Sequence, residues 1–219
     1  MNIYLMDITS VSEQDVVEYA RVLDADRQKR IARYRRSADR RRAFSAGMAL
    51  RYAWRQQYPG RKMPDTARDE NGKPHFVGEP VPFCLSHSGN YAACVLAERA
   101  ENEERADRRL GLDIQEPRSV HAGIAARFFS EGEKEQLCAG ADLCLIWSRK
   151  ESLAKYLGSG LRGDIRLLDT TDGEAYLWSC RTADGYAVSV CAGERRTYRL
   201  VYLDWRTVRE TVKEMRKPK

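Results

Sequence analysis

The sequence predicts an α+β fold in two halves, each a small, mostly antiparallel sheet with helices, and three observations carry that expectation. Apolar residues recur at helical spacing in some segments and in short strand-like runs in others. The 219 residues are 42% apolar, enough for one large or two small domains that bury roughly 70% of the unfolded chain's surface. A polar stretch, Glu98 to Arg109, holds five acids and four arginines and reads as a surface loop, which places the boundary between residues 1–104 and 105–219.

From Arg27 to Arg42, nine of sixteen residues are Lys or Arg against a single Asp39, while Ile31, Tyr34, Phe44, Met48 and Tyr52 keep near-helical spacing. Helices over about Asp26 to Tyr58 follow, with one packed face and one positive face. Pro59 to Pro82 contains five of the seven prolines and reads as a looped connection. Phe83 to Ser86 is a strand, Ser88-Gly89-Asn90 a turn, and Tyr91 to Ala97 the returning strand. Leu110 to Ile114 is a buried strand, followed by helical pattern from about Ser119 to Phe129. Ser130 with Glu133 is a capping-box signature for a short helix ending near Gly140. Asp142 caps the next helix and Gly158 stops it. Strands at about Glu174 to Cys180, Gly185 to Ala192 and Tyr198 to Asp204 precede a charged terminal helix.

Composition narrows the function. Lys and Arg number 38 against 32 Asp and Glu, a net charge of +6. That balance fits a globular protein and excludes disordered, collagen-like and disulfide-scaffold chains. No apolar run reaches the roughly 18 residues of a spanning helix, and the start lacks a basic region followed by an apolar stretch. A cytoplasmic protein without membrane contact is expected. The six cysteines form no C-x-x-C pair and are expected to be buried free thiols.

Three stretches can carry chemistry. Asp113 ends an apolar strand, where a carboxylate is either a site residue or an ordinary turn residue. Ser148, Glu151 and Lys155 share one face of the helix after Asp142; the alternative is a plain i,i+4 ion pair worth about 0.2–0.5 kcal/mol. Lys73-Pro74, followed by Ser86-His87-Ser88-Gly89, offers a cation, hydroxyls and backbone N–H groups to phosphate oxygens, or simply closes a hairpin. Ser86 and His87 are not read as a hydrolase pair, because neighbouring strand residues point to opposite faces.

Together, Gly72-Lys73-Pro74, Leu85-Ser86-His87-Ser88-Gly89, Gly111-Leu112-Asp113-Ile114, Arg127-Phe128-Phe129-Ser130 and Trp147-Ser148-Arg149-Lys150-Glu151-Ser152-Leu153-Ala154-Lys155 stand in one order. In that order the chain resembles the phosphopantetheinyl transferases of the larger, surfactin-synthetase-activating (Sfp-type) class. The resemblance implies two similar α/β halves related by a pseudo-two-fold, with coenzyme A in the cleft between them. It implies Mg2+-dependent transfer of 4′-phosphopantetheine to a serine of an apo acyl- or peptidyl-carrier protein, releasing adenosine 3′,5′-bisphosphate. It further implies Asp113, Gln115 and Glu151 as the metal set, and Glu151 with Lys155 as the catalytic pair. Coenzyme A contacts fall to Arg27, Arg30, Arg42, Lys73, Pro74, Ser86 and His87 at the nucleotide end, with Lys150 and Lys155 reaching the pyrophosphate. Gln115 departs from the family's usual D-x-E pattern and either ligates through its carbonyl or leaves a water in that place. The enzyme is expected to act as a monomer and to bind no nucleic acid. Two other readings stand beside it: a basic nucleic-acid-binding module built on Arg27 to Arg42, and a non-catalytic relative that binds carrier protein.

Overall fold

In the computed structural model, residues 1–98, 109–117, 120–159, 165–173 and 175–214 are described. In chain order the elements are β1 (Asn2–Asp7), α1 (Glu13–Tyr19), α2 (Ala25–Arg33), α3 (Ser37–Gln57), β2 (Thr66–Arg68), β3 (Pro74–Phe76), β4 (Phe83–Ser88), β5 (Tyr91–Leu96), β6 (Leu110–Gln115), α4 (Ala122–Phe128), α5 (Glu131–Cys138), α6 (Leu143–Leu157), β7 (Tyr176–Arg181), β8 (Ala187–Ala192), β9 (Arg199–Leu203) and α7 (Trp205–Glu214). The α+β expectation holds, with one sheet ordered β4-β5-β1-β9 and another ordered β6-β8-β7.

Strand periodicity explains how these sheets pack. Alternate residues of β1 and β5, namely Tyr4, Met6, Cys94 and Leu96, face the long helix α3 and pack with Phe44, Met48, Leu50 and Trp54. The residues between them, Ile3, Leu5, Ala93 and Val95, form a second core with Leu112, Ile114, Val188 and Val190 of the other sheet. Strands β1 and β8 are covered on both faces, and the interior of β1 and all of β8 are apolar or small. On the far side of the second sheet, α6 packs against β6 and β8.

The two sheets meet at β4 and β6 through side chains. Cys84, Ser86 and Ser88 project at alternate positions of β4 and accept hydrogen bonds from the backbone N–H groups of Leu112 (3.2 Å), Ile114 (3.3 Å) and Glu116 (2.9 Å). These N–H groups of β6 and of Glu116 just beyond it are therefore satisfied without a backbone ladder. This junction sets Ser86 beside Asp113.

Several sequence expectations are altered. The Pro59 to Pro82 stretch is not only loop: β2 and β3 pair antiparallel within it, with Arg68 opposite Pro74. Strand β1 was not foreseen. Strand β9 crosses back to pair parallel with β1, Leu5 opposite Tyr202, so the last strand joins the N-terminal sheet. The expected boundary at 104/105 lies outside the described residues. Cys84, Cys94, Cys144 and Cys191 are buried free thiols as expected, but Cys138, at the end of the short helix α5, is exposed and Cys180, on β7, is only partly covered. Among the described residues no helix is long and apolar enough to cross a membrane.

Candidate active site

A cavity of about 440 Å³ opens where α2, α3, β4, β6 and α6 converge. Its wall contains Arg27, Arg30, Pro74, Ser86, His87, Asp113, Gln115, Glu151 and Lys155, nine of the residues singled out from the sequence. Residues more than 120 positions apart in the chain are thus brought together.

Each wall has a local cause. Asp24 caps α2 by accepting from Arg27 N–H (3.0 Å), and Thr66 donates to its other oxygen (2.9 Å), which ties α2 to β2. Arg27 lies flat on α3 because Gly47 has no side chain; a Cβ there would stand 2.3 Å from Arg27 Cδ. On α6, Asp142 accepts from Leu145 N–H (2.9 Å) and Gly158 closes the helix at φ 74°, as the sequence predicts. Gly111 lets α6 lie directly on β6, since a Cβ there would be 1.8 Å from the Ser152 carbonyl oxygen. That approach brings Glu151 and Lys155 to Asp113.

Asp113 is only 2% exposed, and both its oxygens are used. Oδ1 accepts from Lys155 Nζ (2.7 Å) and Ser86 Oγ (2.8 Å), and Oδ2 accepts from Gln115 Nε2 (2.9 Å). Lys155 Nζ also donates to the Leu112 carbonyl (3.0 Å) and to Ser86 Oγ (3.1 Å). Burial opposes the ammonium charge, but Asp113, Cys84 and Glu151 outweigh it, and the Lys155 pKa is raised. Burial first, and then the Asp113 charge, push Glu151 up to about 7 against the pull of Lys155. Burial, followed by the charges of Lys155, Arg30 and Arg42, lowers the His87 imidazole and favours its neutral form.

This donor set suits a hard divalent cation. A carboxylate raised by its own burial and by a second carboxylate marks a place short of positive charge. Among the described residues no group of three or more His, Cys, Asp or Glu could hold a metal. Two carboxylates plus oxygens from water and a phosphate ligand are nevertheless a common arrangement for Mg2+. Gln115 turns its amide nitrogen to Asp113, so offering its carbonyl to a cation requires the amide to turn over.

Three expected contacts are placed elsewhere. Lys150 does not reach the cavity: its side chain is 0% exposed and pairs with Glu133 (2.7 Å). Lys73 Nζ donates to the Lys155 carbonyl (2.5 Å), and Lys73 stands outside the cavity wall while Pro74 is in it. Arg42 donates to the Gly89 carbonyl (2.9 Å) and pairs with Asp39 (2.9 Å), near enough to His87 for its charge to act there. Sequence reasoning missed Arg68, which joins Arg27 and Arg30 in the wall. The signal was its position opposite Pro74 in a hairpin read as loop. The arginine run is partly spent inside the chain, with Arg40 bound to Glu13 (2.8 Å), whereas Arg27, although largely buried, lines the cavity.

Residues 109–201, which include Asp113, Glu151 and Lys155, match the model of the 4′-phosphopantetheinyl transferase superfamily. The chain is 33% identical to the 4′-phosphopantetheinyl transferase AcpT of Salmonella typhi over 138 residues, 59% of this chain and 67% of that protein. It is 24% identical over 204 residues to the 4′-phosphopantetheinyl transferase Sfp of Bacillus subtilis, covering 83% of this chain and 87% of Sfp. It is 32% identical over 107 residues to the L-aminoadipate-semialdehyde dehydrogenase-phosphopantetheinyl transferase of Saccharomyces cerevisiae, covering 45% of this chain and 39% of that one. With AcpT of Salmonella typhi 33% identical and matched over 67% of its length, the chain is a transferase and belongs to the 4′-phosphopantetheinyl transferase superfamily.

Proposed function

We propose that the protein moves 4′-phosphopantetheine from coenzyme A to a serine of an apo acyl- or peptidyl-carrier protein as an Sfp-type enzyme, with Mg2+ held by Asp113 and Glu151. The observation that carries this reading is the sharing of one cavity by the Asp113–Glu151–Lys155 cluster and three arginines, Arg27, Arg30 and Arg68, the last also paired with Asp26 (3.2 Å). A ligand with a diphosphate and a further phosphate satisfies both ends. The extent of the match to Sfp, 87% of its length, supports the class.

The serine oxygen attacks the β-phosphorus that bears pantetheine, the bridging P–O bond breaks, and adenosine 3′,5′-bisphosphate leaves with that oxygen. Bound Mg2+ would neutralise charge on the diphosphate. Lys155, kept charged by its acidic neighbours, turns one N–H to a non-bridging phosphate oxygen. Glu151 accepts the serine proton on a carboxylate oxygen. Arg27, Arg30 and Arg68 hold the 3′-phosphate end, and neutral His87 donates a hydrogen bond there. The net charge of +6 favours an acidic partner such as a carrier protein. We further place the enzyme in the cytoplasm, in keeping with its free cysteines, and read it as a monomer.

Incubation with coenzyme A, Mg2+ and a panel of apo carrier proteins tests this, followed by intact mass. The expected result is a gain of one phosphopantetheine per acceptor that EDTA abolishes. No gain on any acceptor, with steep salt-dependent binding to nucleic acid instead, would contradict it.

A further inference from the structure

Glu133 and Lys150 are both 0% exposed, and every oxygen of the carboxylate is occupied. Oε2 accepts from Lys150 Nζ (2.7 Å) and Ser130 N–H (3.0 Å), while Oε1 accepts from Thr170 N–H (3.3 Å) and Thr170 Oγ1 (2.9 Å). Lys150 Nζ donates in addition to the Leu168 carbonyl. The pair therefore joins α5, α6 and the 168–170 segment at one point. Folding alone does not demand it, because buried ion pairs can often be replaced by neutral side chains without loss of stability.

Lys150 immediately precedes Glu151 on α6, about 100° round the helix, so one residue anchors α6 to α5 while the next lines the cavity. A carboxylate about 6 Å from the helix axis moves by about 1 Å when the helix turns by about 10°. On the cavity side, the polar tie between α6 and β6 is the 2.7 Å pair of Lys155 and Asp113, the groups that exchange partners when a diphosphate enters. We infer that the Glu133–Lys150 pair is a positioning device that fixes the rotation of α6, keeping Glu151 opposite Asp113 while Lys155 changes partner. The inference rests on the roles given above to Asp113 and Glu151.

The test uses the full chain and Mn2+ as the probe, with free Mn2+ followed by its electron-spin signal in the absence of coenzyme A. In E133Q/K150M, where the pair is replaced by neutral side chains of similar length, the fold persists and Mn2+ affinity falls about 10–100-fold. Turnover falls about 100-fold while KM for coenzyme A stays within about twofold. A folded double variant with wild-type Mn2+ affinity and kcat overturns the inference. Should that variant not fold, E133D decides, since it keeps both charges and shortens the anchor by one methylene. The same split between kcat and KM is expected there, and either unchanged kcat and Mn2+ affinity or failure to fold overturns the positioning role. E151Q separates the two levels: wild-type Mn2+ affinity in E151Q removes the site assignment itself, whereas loss in E151Q alone removes only the role of the pair.

Discussion

Glu151→Gln is expected to reduce kcat by at least about 10²–10³-fold while raising the melting temperature of the metal-free protein at pH 8. The two effects share one cause. The folded-state pKa of this carboxyl is raised to about 7 by burial and by Asp113. Its stabilising contribution is fully present below the unfolded value and is lost as pH rises through about 7. Glutamine removes that penalty together with the negative charge that would hold the cation and accept the serine proton. Asp113→Asn should lose turnover to a similar degree but lose stability as well, because it leaves Lys155 without its 2.7 Å partner beside the buried Ser86. Rates and thermal unfolding of both variants with and without Mg2+ check this. Equal stability changes in the two would contradict the assigned electrostatics.

Among the described glycines, Gly111→Ala should be the most damaging added methyl. The added carbon would lie 1.8 Å from the Ser152 carbonyl oxygen and 2.8 Å from the Tyr156 nitrogen, both backbone atoms of α6. No side chain can swing aside to make room, so the helix must lift off β6 or the sheet it covers must unfold. A cost of about 3 kcal/mol, the upper end for overpacking, and a drop in kcat of at least about 100-fold are expected, measured by denaturant unfolding and initial rates. Gly123→Ala on α4 is the matched control: nothing lies within 4 Å of its added carbon, and stability should hold or rise by up to about 1 kcal/mol. Similar results for the two would mean that α6 is not held against β6 as described.

The parts of this fold legible in the sequence are those fixed by local chemistry. Asp142 and Gly158 mark the ends of α6, Ser130 and Glu133 form the capping box at α5, and Ser88-Gly89-Asn90 turns β4 into β5, all by bonds spanning a few residues. The cavity was legible in part: helix periodicity puts Glu151 and Lys155 on one face, and Asp113 joins them only through the order of motifs that carries the family resemblance. What the sequence hid depends on distant partners. Strand β1 is defined by β5 and β9, which lie about 90 and 200 residues away, and the β2–β3 hairpin is masked by its prolines, taking Arg68 with it. Lys150 and Glu151 look alike as charged helix residues, and it is the carboxylate of Glu133, 17 positions earlier, with the Leu168 carbonyl, that takes Lys150 out of the cavity.

Crystals of the protein soaked with Mn2+ and coenzyme A, recorded at a wavelength where manganese scatters anomalously, put the central claim to the test. The account predicts an anomalous peak about 2.1 Å from carboxylate oxygens of both Asp113 and Glu151, with a diphosphate oxygen completing the contact. A peak bound by neither carboxylate, or a diphosphate seated away from them, would contradict it.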